Sequence, residues 1–368
     1  MHEELPKINK ALLPFSFLFG IGVEIRNKLF DWGIIKSESF DIPVICVGNL
    51  TVGGTGKTPH TEYLVSILHK KYSVAVLSRG YKRETTGFVL ANKETSVLEI
   101  GDEPYQIKQK FFNIMVAVCE DRREGIRQLM ALNPKLNVII LDDAFQHRYV
   151  KPGLSILLMD NNRKIYEDKL LPAGRLREPL WAKERADIMI VTKCPVDTKP
   201  MDIRITSKYL EPRPHQSLFF SSIHYGDVMP LFAGGGMAFG RRLSDINKKT
   251  ETILLVTGIA STKKLVSDLM HYTTHLQEIR FPDHYNFEQK DLELIEETFN
   301  KITTPEKMIL VTEKDAVRLQ QMPNLSESLK KSIYYLRIEI KFLENKRLEF
   351  NERVYEYVRN HQRNSDLP

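Results

Sequence analysis

Residues 42–58 read IPVICVGNLTVGGTGKT, an apolar run that breaks into glycines and closes on Gly56-Lys57-Thr58. A strand, a glycine-rich turn and a helix start in that order form a phosphate cradle. The glycines let backbone N–H groups point inward at an anion, and the helix N-terminus adds partial positive charge. In such a cradle Lys57 reaches the β- and γ-phosphates, and the Thr58 hydroxyl ligates Mg²⁺. The pattern G-x-x-x-x-G-K-[ST] wants a glycine at position 51, where this chain has Thr51. Gly53 and Gly54, followed by Thr55, supply the flexibility instead, so a departure from the commonest turn is expected. A glycine-rich turn with a chance Lys-Thr is the plain alternative. The strand-like run before it and the helical pattern of residues 61–68 after it argue for a nucleotide site.

From Ile42 to about Pro200 the chain alternates apolar β-type runs with helical stretches. The runs fall at 42–48, 73–79, 114–119, 137–143, 154–160 and 186–193. Several are almost continuously apolar, which marks strands buried on both faces of a parallel sheet. The expected fold is therefore α/β: a doubly wound P-loop domain whose ligand sits at the carboxyl ends of the strands. The proline-marked stretch Leu210–Pro214 breaks the pattern, and residues 218–226 read as an exposed strand. A second, smaller α/β set begins at 252–260, continues through 275–287 and ends at 307–319. Residues 332–340 alternate like a strand and are expected to pair with 218–226 as a β-ribbon joining the domains. The expected division is an N-terminal segment 1–40, a nucleotide domain 41–215, a ribbon of 216–226 and 332–340, a second domain 227–331, and a segment 341–368 without a recognised motif.

The chain has 368 residues, enough for two domains with real cores. With 42% hydrophobic and 27% charged residues it is an ordinary globular sequence. A net charge of +6 fits anionic partners such as a nucleotide, a phosphorylated substrate or an acidic membrane surface, and does not call for nucleic acid. The three cysteines, Cys46, Cys119 and Cys194, are scattered through apolar segments and read as buried free thiols in a reducing compartment.

Ala11–Val23 is apolar but broken by Pro14, Ser16, Gly20 and Gly22. It is too short to cross a bilayer, which takes about 20 residues. From Val23 the pattern turns helical. Phe15, Phe17, Phe19 and Trp32 could enter the surface of a membrane while Lys7, Lys10, Arg26 and Lys28 meet anionic headgroups. A helix docked on its own domain fits the same residues.

The remaining candidates are short. The run 137–147, NVIILDDAFQH, ends a buried strand in Asp142 and Asp143, placed where a second contact to Mg²⁺ is needed beside a phosphate loop. One of the two can equally cap the next helix. Gln146 and His147 follow one turn on, to orient a neighbour or only to pack. In the turn Ile100-Gly-Asp-Glu-Pro104, Asp102 can serve as a base or as a helix cap. Phe281-Pro-Asp-His-Tyr285 puts His284 in a loop of the second domain, where a structural role competes with orienting a base. Arg79 and its neighbours in Ser78-Arg-Gly-Tyr-Lys-Arg83, and Arg175 in the rigid loop Leu171–Pro179, offer cations for phosphate oxygens. Solvated surface charge is the alternative for both.

Taken together, VGNLTVGGTGKTP, LSRGYKR, GDEP, LDDAFQHR, LPAGRLREP, FPDHYNF and VTEKDAVRL stand in the order of one family. From about residue 10 to 320 the chain resembles the tetraacyldisaccharide 4′-kinases, in which Thr at the first glycine of the loop is ordinary. The resemblance implies two α/β domains joined by a β-ribbon with the active site between them. It implies ATP with Mg²⁺, and transfer of the γ-phosphate to the 4′-hydroxyl of tetraacyldisaccharide 1-phosphate, a lipid A precursor. It also implies a monomer peripheral to the cytoplasmic face of the inner membrane. Lys57 and Thr58 would hold phosphate and Mg²⁺, Asp142 and Asp143 would be the family's paired acids, and Asp102 would be the base, paired with His284. Arg175 and an arginine of the Glu120–Arg123 run, Arg123, would neutralise transferring charge, with Arg79, Gln146 and His147 toward the substrate. A P-loop GTPase or nucleotide-dependent chaperone is the rival class. Neither Thr192-Lys-Cys-Pro nor Thr312-Glu-Lys-Asp matches the N-K-x-D that guanine sites use. A membrane-binding module with a vestigial nucleotide site would not need acids at both Asp102 and the Asp142–Asp143 pair.

Overall fold

The computed structural model describes residues 8–232, 240–259, 261–283 and 285–365. These form two compact units: one takes the chain to Ile223 and again from Ile340, and the other is His224–Glu339.

The first unit is built on strands β1 (Val44–Asn49), β2 (Val74–Ser78), β3 (Val89–Leu90), β4 (Met115–Val118), β5 (Val138–Asp142), β6 (Leu154–Asp160), β7 (Ile188–Thr192) and β8 (Ser217–Pro230). Their order is β8-β7-β6-β1-β5-β2-β4-β3, parallel except for the short β3. Every residue of β1, β2, β5, β6 and β7 is buried. This is why those runs are apolar without alternation: both faces of the sheet are covered. The covering helices include α1 (Leu13–Asp31), α2 (Lys57–Leu68), α3 (Val97–Ile100), α4 (Asp102–Lys110), α5 (Arg122–Leu132) and α6 (Pro200–Leu210). Strand β1 lies between β5 and β6, where the strand order changes direction. A crevice outside the strand tips forms at such a switch point. Val47 pairs with Asp142, so the glycine loop after β1 and the acids after β5 emerge side by side.

The second unit carries β9 (Glu251–Thr257), β10 (His275–Arg280), β11 (Glu306–Thr312) and β12 (Ile333–Phe342), in the parallel order β10-β9-β11-β12. Helices α7 (Lys263–Leu269), α8 (Gln289–Lys301), α9 (Glu313–Leu319) and α10 (Glu327–Ser332) accompany it. Its core includes Leu254, Val256, Phe299, Ile309 and Val311. The chain passes between the units in β8 and β12, which are neighbours in the hydrogen-bonded strand order.

The last helix, α11 (Arg347–Ser365), returns to the first unit. Phe350, Val354 and Val358 are buried at a spacing of four, one face of a helix. The Tyr357 hydroxyl accepts from the Val44 N–H at 2.9 Å and donates to the Val44 carbonyl at 3.1 Å. Phe342 stacks on Phe350 with 4.5 Å between centroids, and Phe219 meets both edge-on. This packing corrects the expectation of an exposed strand at 218–226: the aromatic cluster covers Phe219, and Phe220, on the opposite face, is buried in the core with Val191, Cys194 and Leu210.

The N-terminal helix also differs from expectation. It starts at Leu13 rather than Val23, because Pro14 falls in its first turn, where a missing N–H costs nothing. It docks by polar groups. Ser16 donates to the Leu170 carbonyl and accepts from Ala173 N–H, Asn27 donates to Glu178, and Arg26 donates to the Gln146 carbonyl. Phe15, Phe17, Leu18 and Ile25 are left exposed, and so is Trp32 just after the helix. The helix is thus docked through Ser16, Asn27 and Phe30 while its N-terminal half leaves apolar side chains exposed.

Candidate functional site

Thr51 forms an antiparallel bridge with Leu176, flanked by hydrogen bonds from Val52 N–H to the Arg175 carbonyl and from Arg177 N–H to the Leu50 carbonyl. An extended residue paired like a strand suits threonine, so the loop has no need of glycine there. Positive φ appears at Gly53 (113°) and Gly56 (84°), where a side chain would be strained. A Cβ on Gly54 would meet nothing within 4 Å, so open space faces the loop at that point. The buried Asn49 amide, at the tip of β1, donates to the Thr55 hydroxyl at 2.9 Å. The Thr55 carbonyl accepts from the Thr192 hydroxyl at 2.8 Å, and Lys193 Nζ donates to the Gly54 carbonyl. The first turn of α2 carries Lys57, Thr58 and, one turn on, the buried His60. Burial pushes the His60 imidazole down to about 4, so the ring is neutral.

Lys57 Nζ lies 3.6 Å from Asp143 Oδ2, and Arg177 Nη1 lies 3.2 Å from Asp143 Oδ1. Gln146 accepts from the same Arg177 nitrogen at 3.4 Å and donates to the Asn49 carbonyl at 2.7 Å. Asp142 is 2% exposed and accepts from the Thr61 hydroxyl at 3.0 Å. Burial, then the charges of Glu103 and Asp143, pushes its carboxyl up to about 7, against the pull of Lys57. A carboxyl raised by burial and crowding near a phosphate loop is poised to be ionised by a cation. Arg122, 2% exposed, lies beneath this acid and donates to the Cys119, Glu120 and Asp142 carbonyls.

The predicted residues separate as follows. Lys57 and Asp143 come together directly and Gln146 joins them through Arg177, with Asp142 and the first turn of α2 beside them. Asp102 opens α4 and is buried; its neighbour Glu103 is the residue whose charge reaches Asp142. Gly101, with φ of 86°, packs against the Tyr81 carbonyl, which seats the GDEP turn on the Ser78–Arg83 segment. Arg79 is exposed and its charge acts on Arg122. Arg123 pairs with Asp121 at 2.6 Å, holding that carboxyl down to about 2, and lies over the Tyr149 ring. His147 Nε2 accepts from the Arg122 N–H at 3.3 Å; burial and then Arg122 push this imidazole down to about 4. Arg175 is exposed, and its backbone rather than its side chain meets the loop; the arginine at Asp143 is Arg177. His284 lies outside the described residues. Its neighbours are held by the second unit, Asp283 by Lys314 at 2.9 Å and the Tyr285 carbonyl by Arg318.

Sequence reasoning passed over Arg177, Glu103, His60, Arg122 and Lys193. Arg177 and Glu103 lay inside quoted motifs, one or two positions from the residues chosen. Arg122 stands beside Arg123 in the Glu120–Arg123 run and Lys193 in the Thr192-Lys-Cys-Pro run weighed as a guanine motif, whereas His60 carried no signal beyond a polar residue in a helical pattern.

The residues fit ATP with Mg²⁺. Among the described residues no three His, Cys, Asp or Glu side chains stand together as a metal cage. Magnesium bound through phosphates needs only one or two protein oxygens. The Thr58 hydroxyl and the Asp142 and Asp143 carboxylates are oxygen donors of that kind beside the loop.

The family model for tetraacyldisaccharide-1-P 4′-kinase matches residues 8–358. The chain belongs to that kinase family. A tetraacyldisaccharide 4′-kinase of Phocaeicola vulgatus is 55% identical over all of both chains. One from Bacteroides fragilis is 52% identical over 100% of this chain and 98% of its own. One from Porphyromonas gingivalis is 41% identical over 95% and 98%. Among solved structures, the LpxK protein of Aquifex aeolicus, crystallised in complex with ATP, superposes with a TM-score of 0.72 at 28% identity, covering 95% of this chain and 98% of that one. The α/β architecture with a P-loop is thus that of this kinase family.

Proposed function

We propose that this chain is an ATP-dependent kinase that transfers the γ-phosphate to the 4′-hydroxyl of tetraacyldisaccharide 1-phosphate in lipid A biosynthesis. The observation that carries the reading is the meeting of Lys57, Asp142, Asp143 and Arg177 at the tips of β1 and β5, in a member of this family. Lys57 and the N–H groups of the loop bind the β- and γ-phosphates. Thr58 and the paired acids would hold Mg²⁺, which would supply charge neutralisation to the phosphates when bound. Arg177 is placed to meet charge on the transferring group. In this reading Asp102 takes the proton of the acceptor hydroxyl, with His284 as its partner. A GTPase or chaperone role is set aside with the family assignment. Turnover of ATP against GTP, with and without the glycolipid, tests the reading. Acceptor-dependent ATP turnover is expected, whereas acceptor-independent GTP turnover would overturn it.

The acyl chains of such an acceptor hold it in a bilayer. No described helix is long and apolar enough to cross a membrane. The outward apolar side of α1 supports a peripheral seat on a membrane surface; the proposed setting is a monomer on the anionic cytoplasmic face of the inner membrane.

A further inference from the structure

Three consecutive carbonyls of the phosphate loop each meet a side chain, two of them from the end of β7 and one from the first turns of α2, where the Gly56 carbonyl also accepts from the His60 backbone N–H at 3.2 Å. Lys193 Nζ donates to the Gly54 carbonyl, the Thr192 hydroxyl donates to the Thr55 carbonyl at 2.8 Å, and His60 Nδ1 lies 2.7 Å from the Gly56 carbonyl. A carbonyl only accepts, so Nδ1 carries the ring proton, and Nε2 accepts from the Ser221 hydroxyl at 3.0 Å. Each holder is itself anchored. Lys193 is paired with Asp160 at 2.7 Å, Thr192 is the buried last residue of β7, and Ser221 is buried in β8, where its carbonyl accepts from Cys194 N–H.

The consequence follows from the peptide bond. A trans peptide is planar, and its N–H points opposite to its C=O. Fixing the carbonyls of residues 54, 55 and 56 therefore fixes the N–H directions of Thr55, Gly56 and Lys57, the donors that a phosphate loop aims at its ligand. The need is real here, because Gly53 and Gly56 have positive φ and glycine lets a peptide plane rotate at little cost. Without Lys193 and Thr192 the Gly54 and Thr55 carbonyls lose their side-chain donors and the loop could turn its N–H groups away from the anion; at Gly56 the imidazole adds to the bond from the His60 backbone N–H.

We propose that His60, Thr192 and Lys193 are positioning residues that lock the loop's backbone donors toward the phosphates of ATP. The inference rests on the reading of this loop as the ATP site. It deepens that reading by naming side chains that act on phosphate affinity through the loop's carbonyls.

The test measures the Kd for ATP by calorimetry and the KM values for ATP and glycolipid, in the full-length protein. Thr192→Val keeps the shape and removes the donor; His60→Leu does the same for the imidazole. Each is expected to raise the Kd and KM for ATP about tenfold, the effect of one lost hydrogen bond. The glycolipid KM and the melting temperature should stay near wild type. His60→Asn, whose amide can donate to the Gly56 carbonyl, should recover most of the loss. Wild-type ATP affinity in folded Thr192→Val and His60→Leu proteins overturns the proposal. So does a loss shared equally by both substrates and the melting temperature, with no recovery in His60→Asn. If His60→Leu does not fold, Thr192→Val decides alone. Lys57→Ala is the control: if it too binds ATP normally, the phosphate-loop reading fails; if it alone loses ATP, only the positioning role fails.

Discussion

Asp143 stands between Lys57 and Arg177, 3.6 Å from the first and 3.2 Å from the second. The three side chains come from the start of α2, the turn after β5 and the loop at 171–179. Asp143 takes a φ of 47° to sit there, a left-handed conformation that an aspartate tolerates better than most residues. One carboxylate thus bridges two cations. Removing it would leave them to repel one another.

Lys57→Ala should cut kcat/KM by about 10²-fold or more, an electrostatic loss of about 3 kcal/mol. Steady-state kinetics at saturating glycolipid gives the number. Near-normal turnover in a folded variant would remove the nucleotide assignment.

The two arginines of the 171–179 loop should differ sharply. Arg177→Ala removes a guanidinium from Asp143 and Gln146 and should lower kcat/KM by about 10²-fold. Arg175→Ala removes an exposed side chain whose backbone contacts persist, and should cost less than about fivefold. Equal losses, or the reverse order, would show that Arg175 turns to the substrate.

If Asp102 and His284 serve one proton transfer, their losses should not add. The double alanine variant is expected to be little worse than the poorer single one. Fully additive losses in kcat/KM would assign His284 to another task.

Exposed residues of the N-terminal segment offer a cleaner membrane test than truncation, which would also strip the buried Asn27–Glu178 bond. Each of Phe15, Phe17 and Trp32 can contribute about 1.5–3 kcal/mol if fully inserted in lipid. Replacing all three by Ser should weaken binding to anionic vesicles by more than about 10²-fold with little change in melting temperature. Unchanged vesicle binding would move the membrane contact elsewhere.

His147 gives a pH prediction. Its imidazole is pushed down to about 4 by burial and then by Arg122, against about 6.5 in the unfolded chain. Between these values the unfolded state binds the extra proton, so stability is full above about pH 6.5 and falls as the pH drops toward 4. Denaturant midpoints across this window should fall more steeply for wild type than for His147→Gln. Parallel curves would show that the ring titrates normally.

Strand runs, the loop and the paired acids were legible because each depends on local chemistry. Fully buried parallel strands must be apolar on both faces, and a phosphate loop needs its glycines, lysine and hydroxyl within a few residues. The C-terminal helix was less legible. Phe350, Val354 and Val358 follow a helical stripe, but its partner Val44 lies some 300 residues earlier, and no local pattern joins them.

The sequence by itself determined that this chain is a parallel α/β protein with a phosphate loop after its first strand, and which family its motifs resemble. The tertiary structure decided which side chains share a point in space. It put Arg177 rather than Arg175 on Asp143, turned the apolar side of α1 outward, and brought His60, Thr192 and Lys193 onto three successive carbonyls. The reason is range. Burial periodicity and turn chemistry act between residues close in the chain, whereas a hydrogen bond between Thr192 and Thr55 spans 137 positions and exists only once the sheet has set β7 beside the loop.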